Sequence, residues 1–78
     1  MNVNAVLNLN LENQRDNYFD LLSEEDFDFR TKDINIELEK FNSDSLKIEV
    51  LANSILDLKI GMNAIIKSLE VIDKSLKI

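Results

Sequence analysis

The stretch SILDLKIGMNAIIKSLEVIDKSLKI, residues 54–78, decides the fold. Ser54 with Asp57 three residues on is a capping-box arrangement, in which a hydroxyl and a carboxylate answer the free N–H groups at a helix start. From Ile55 to Lys77 only Gly61 interrupts the run of helix formers, so one long helix is expected, about 35 Å at 1.5 Å per residue. At 100° per residue, Ile55, Leu58, Met62, Ile65, Ile66, Leu69, Ile72 and Leu76 share an arc of about 120°. That arc is the expected core side. Lys59, Asn63, Lys67, Glu70, Lys74 and Lys77 form a polar arc beside it. A second, narrower apolar stripe holds Ile60, Ala64, Val71 and Ile78, with Leu56 at its border, and next to it Gly61, Ser68 and Ser75 recur every seven residues.

Outward from this helix the periodicity changes to two. Leu46, Ile48 and Val50 alternate with Lys47 and Glu49, and Ile34, Ile36 and Leu38 alternate with Asn35, Glu37 and Glu39. Asn42, Ser43 and Asp44 between them carry turn chemistry, so a hairpin with one wet face is expected, its first strand starting near Arg30. Further back, Val3, Ala5, Leu7, Leu9 and Leu11 alternate with Asn2, Asn4, Asn8 and Asn10, which describes a half-buried strand. Tyr18, Phe19 and Leu22 then fall at helical spacing. A short helix is expected over roughly 14–22, capped by Asn13 and ended by the acidic turn 23–26. The order is β-α-β-β-α. It predicts an α+β two-layer domain, a three-stranded antiparallel sheet with two helices on one face, and residues 1–78 as one small domain.

Composition narrows the function. The 78 residues hold fifteen Asp and Glu against nine Lys and Arg, a net charge of −6, with no His, Cys, Trp or Pro and a single Gly. Thiolate and imidazole chemistry, zinc and haem ligation and disulfides are therefore excluded. An unaided nucleic-acid binder is disfavoured, because Lys and Arg supply phosphate affinity. No apolar run nears the ~20 residues of a membrane span, and the first residues lack the basic start and apolar centre of a signal peptide. A soluble cytoplasmic protein is the expectation. Glu24, Glu25, Asp26 and Asp28 lack the spacing of a calcium loop and read as a solvated acidic turn. Ser54, Ser68 and Ser75 have no His to activate them. No catalytic residue, metal site or cofactor is expected.

The long helix instead suggests an interaction surface. A strand of seven residues covers only ~23 Å, so the helix overhangs the sheet that this chain can build. A Gly inside a helix costs ~1 kcal/mol relative to Ala and persists most readily where another backbone comes close. The stripe near Leu56 to Ala64 can face either the first helix of the same chain or a partner, but a helix of about nine residues reaches only ~14 Å, so Val71, Ser75 and Ile78 are expected to need a partner or to stay wet. Charge divides the chain the same way: residues 1–53 hold five basic and twelve acidic side chains, residues 54–78 four and three. The expected partner-binding residues are Leu56, Lys59, Ile60, Gly61, Asn63, Ala64, Lys67, Ser68, Val71 and Ser75. An alternative is a KH-like RNA-binding module that uses the row Lys59, Lys67, Lys74 and Lys77, although the GXXG loop that clamps RNA in that module is missing.

Residues 52–67, ANSILDLKIGMNAIIK, resemble the signature of the small dimerisation subunit of the KEOPS complex (the polarised growth chromatin-associated controller family). That helix usually reads Leu-Arg-Ala-x-x-Asn-Ser-x-x-Arg after an Ala-x-Asp strand end. Ala52, Leu58 and Asn63 match, and Lys59 and Lys67 stand where the family favours Arg. Leu22-Ser23-Glu24-Glu25-Asp26 resembles the family's Leu-x-Pro-Glu-Asp turn without its proline. The likeness covers about residues 6–77. It implies a non-catalytic subunit that pairs with itself or with a paralogous small subunit. The family's C-terminal helix bundles with helices of the catalytic threonylcarbamoyl-transferase subunit, and transfer RNA is met only through the assembly, which modifies adenosine 37. Ile60 and Gly61 depart from the usual small pair, and Lys is a weaker bidentate donor than Arg. These departures suit a diverged paralogue.

Overall fold

The computed structural model describes residues 2–25, 27 and 33–76. Strand β1 (Val3–Asn10) leads through a 3-10 turn (Glu12–Gln14) into helix α1 (Arg15–Ser23). Strands β2 (Asn35–Lys40) and β3 (Ser45–Ala52) form the hairpin, and helix α2 (Ile55–Leu76) follows. The sheet is antiparallel in the order β1-β3-β2, which places the last strand in the middle. The expected α+β architecture is present.

Alternation decides which face is covered. On β3, Leu46, Ile48 and Val50 are fully buried and Ala52 nearly so. Their partners are Leu9, Leu7, Ala5 and Val3 on β1, with Ile36 and Leu38 on β2. These residues point one way and pack against Tyr18, Leu22, Ile65 and Ile72 of the helices. The opposite face is open. It carries Asn4, Val6 and Asn8 of β1, Lys47 and Glu49 of β3, and Glu37 and Glu39 of β2. Glu37 stands directly opposite Glu49, which accepts a hydrogen bond from Asn4 Nδ2 at 2.7 Å.

The turn chemistry operates as expected. Asn42 Oδ1 accepts from the N–H of Asp44 (2.9 Å) and of Ser45 (2.8 Å), closing the hairpin. Ser54 Oγ accepts from the Asp57 N–H at 3.1 Å, capping α2.

Several local expectations are corrected. β1 ends at Asn10 rather than Leu11, although the Leu11 N–H still donates to the Asp44 carbonyl at 2.8 Å, one step further in the same register, before the chain enters the 3-10 turn. Asn13 does not cap α1: it lies inside the 3-10 turn, and Gln14, at the cap position, makes no side-chain cap bond. The start of α1 is held by Arg15 instead, which donates to the Asn42 carbonyl and to Asp16 Oδ1 (2.6 Å). The Arg15 guanidinium and then Lys40 hold the Asp16 carboxyl below the ordinary carboxylate range. β2 begins at Asn35, and the expected strand start near Arg30 lies outside the described residues. So do Asp26 and Asp28 of the acidic turn, and Lys77 and Ile78 beyond α2.

The largest correction concerns how α2 is rolled on the sheet. Gly61, Ile65 and Ile72 are its buried residues, whereas Ile55 and Ile66, expected in the core, are 64% and 43% exposed. A Cβ at Gly61 would stand 2.7 Å from Val50 Cγ1 and 2.9 Å from Ile34 Cγ2. The missing side chain lets the helix backbone settle onto β3 at this point. The buried line therefore runs through Gly61, roughly half of one 100° residue step from the centre of the expected arc. That roll lifts Ile55 and Ile66 away from the sheet.

Candidate docking surface

α1 meets the C-terminal half of α2, beyond Ser68, which its expected length had placed out of reach. Tyr18 Oη donates to Asp73 Oδ1 at 3.1 Å. Leu21, Glu24 and Glu25 border a shallow cleft of about 290 Å³ with Val71, Ile72 and Ser75. The reason is topological: α1 starts where β1 ends, beside the hairpin turn that Arg15 grips, and α2 descends to that same end of the sheet.

The expected partner-binding residues divide into three groups. Leu56 (65% exposed) and Val71 (58%) stand out into solvent, and Lys59, Asn63, Lys67 and Ser75 are exposed around them. Ile60, Ala64 and Ser68 are half-buried, and Ile60 packs against the core. Gly61 is buried against Val50 and Ile34, so it is removed from the docking surface: its close approach is to its own sheet. What α2 presents outward is thus an exposed line of Leu56, Asn63, Lys67 and Val71 with Ile60 and Ala64 at its base. Lys74, from the row considered for RNA, is also exposed.

Leu21, which sequence periodicity did not single out, extends this surface. It is 39% exposed and lies beside Val71 across the cleft. The doublet Leu21-Leu22 was the available signal, since two adjacent leucines cannot both face the core of a narrow helix. The rim is acidic at this end. Glu24 and Glu25 follow the C-terminus of α1, where the helix dipole is already negative and no basic side chain lies in the last turn. Phe41, 65% exposed at the hairpin, and Val6, 41% exposed on the open sheet face, are further apolar side chains left uncovered.

Among the described residues, no group of three His, Cys, Asp or Glu side chains is placed to hold a metal ion. No helix of the described residues is long and apolar enough to cross a membrane. Comparison with protein-family models, with curated proteins and with solved structures finds no match.

Proposed function

We propose that this chain is a non-catalytic interaction and dimerisation subunit of the KEOPS complex, acting in the cytoplasm. It pairs with itself or a paralogous small subunit and docks through α2 on the catalytic threonylcarbamoyl-transferase subunit. In that way it supports threonylcarbamoylation of adenosine 37 in transfer RNA. The reading rests on the resemblance of residues 52–67 to that family's helix signature and on the agreement of element order.

One observation carries it: Leu56, Val71 and Leu21 remain exposed on a domain too small to waste apolar area. At ~25 cal/mol per Å², covering three such side chains contributes a few kcal/mol, a sizeable fraction of the ~4–12 kcal/mol that holds a domain of this length together. A helix of the catalytic subunit laid along α2 would cover them, with Asn63 and Lys67 at its rim.

The test is a double substitution, Leu56→Asp with Val71→Asp. Both side chains are largely solvent-exposed, so circular dichroism and thermal midpoint are expected to change little while capture of the catalytic subunit falls at least tenfold. Unaltered capture overturns the docking reading. The exposed Lys59, Lys67 and Lys74 favour a second reading, direct RNA contact by a KH-like module. Transfer RNA titrated against the isolated protein at two salt concentrations decides it: tight binding that weakens steeply with salt supports this alternative.

A further inference from the structure

An antiparallel sheet that leaves one face to water ordinarily fills it with polar side chains and sets opposite charges across the strands. The face turned away from the helices departs from that on both counts. Register arranges it in rows: Phe41 beside Ser45, Lys47 between Asn8 and Glu39, and Glu49 between Val6 and Glu37. Val6 is 41% and Phe41 65% exposed, and with Asn8, Ser45 and Lys47 they border a shallow trough of about 460 Å³. Beside the trough stand three carboxylates and one ammonium group. Lys47 reaches Glu39 at 3.9 Å, and Glu49 accepts from Asn4 Nδ2 at 2.7 Å. Glu37 is exposed, faces the like charge of Glu49, and has no hydrogen bond or ion pair among the described residues. An uncovered apolar trough and an unanswered acidic row lie together.

We propose that this face receives a basic amphipathic helix of a partner protein. Its arginines would meet Glu37, Glu39 and Glu49, and one apolar side chain would enter the trough between Val6 and Phe41. The proposal goes beyond the proposed function, because it uses the side of the sheet opposite both helices and so opposite the α2 docking line. Charge selects the class of partner. Three Glu and one Lys leave this face at −2, which repels the phosphates of a nucleic acid. A second copy of the chain, at −6, is likewise disfavoured. A cationic segment turns the repulsion between Glu37 and Glu49 into shared attraction.

The dimensions suit one helix. The outer strands of a three-stranded sheet lie about 10 Å apart, and a helix with its side chains is about 10–12 Å across. Glu37 and Glu39 are about 7 Å apart along β2, close to the ~5–6 Å that separates positions i and i+4 of a helix. Arginines at that spacing reach both carboxylates. The planar guanidinium takes a carboxylate in two parallel hydrogen bonds, which an ammonium group cannot do.

An NMR titration of the isotope-labelled whole chain tests this. The probe is an alanine-based peptide of about 20 residues, long enough to hold a helix, with arginines at i and i+4 and a leucine at i+7. Amide shifts are expected at residues 6–8, 37–41 and 45–49, with affinity falling as salt rises. Glu37→Gln with Glu49→Gln is expected to weaken binding at least tenfold, and so is Phe41→Ser. Val6→Thr replaces the latter if the hairpin is disturbed. Asp20→Asn with Glu70→Gln, which removes the same charge from exposed sites elsewhere, is expected to leave affinity unchanged. So is Leu56→Asp with Val71→Asp, which separates this face from the α2 docking line. No binding, shifts confined to α2, or equal loss from the Asp20 and Glu70 variant overturns the proposal. So does equally tight binding by a peptide whose leucine is replaced by alanine. Shifts at Glu37, Phe41 and Glu49 on concentrating the protein alone, or on adding transfer RNA, name another occupant and overturn it too.

Discussion

Gly61 illustrates how one atom's absence sets a whole element. Sequence alone cannot tell whether a helical glycine admits a partner's backbone or the protein's own. Here the neighbours are Val50 and Ile34, and the room is already filled. Gly61→Ala is therefore expected to destabilise the isolated domain. The ~1 kcal/mol that Ala gains in helix propensity is outweighed by overpacking of ~1–3 kcal/mol against a fully buried strand residue. Urea unfolding of the two proteins measures the sign directly, and a stabilised variant would show that the sheet yields easily at Val50. Glu12, at φ 53°, is held in the left-handed region at the corner where β1 turns into α1, and its N–H is answered by Asn10 Oδ1 at 3.3 Å.

Between strands, the open face of the sheet contains an evident conflict. Glu37 and Glu49 are cross-strand neighbours of like charge. Glu37→Lys is expected to raise stability by ~0.2–1 kcal/mol by turning repulsion into attraction, read as a rise in thermal midpoint. The elements themselves were largely legible in the sequence. Asparagines alternating with apolar residues in β1, the Asn42 turn and the Ser54 cap all rest on local chemistry, and all stand close to where periodicity puts them. What local chemistry could not supply was the roll of α2 and the seat of α1. Both depend on distant partners: Val50 and Ile34 under Gly61, and the Asn42 carbonyl that Arg15 reaches. An apolar arc wider than the face that sheet contact can cover leaves periodicity with more than one acceptable centre. Ile55 and Ile66 fell inside the arc for that reason and outside the core in the fold.

Taken whole, the molecule has two uncovered apolar flanks on one helix, one beside Leu21 and Val71 and one carrying Ile55 and Ile66. The candidate docking surface was half legible: Leu56 and Val71 stand exposed, while Gly61 belongs to the interior and Leu21 emerged only from the packing of α1. The net charge of −6 acts over both flanks. Like-charged copies repel at a distance even when the surfaces that touch are neutral. Raising ionic strength from 0.1 M to 1 M, which shortens the screening length from about 10 Å to about 3 Å, is therefore expected to tighten self-association. Sedimentation at the two salt concentrations reads this, and weaker association in high salt would point to a contact held by opposite charges elsewhere.

The register of the sheet also bears on how the chain is made. β1 leaves the ribosome before its mate in the sheet, which is translated roughly forty residues later, after the first helix and the first arm of the hairpin. Throughout that interval an uncharged strand waits in the open, prone to stick to other nascent chains. An amide at nearly every second position keeps half of its surface wetted during the wait.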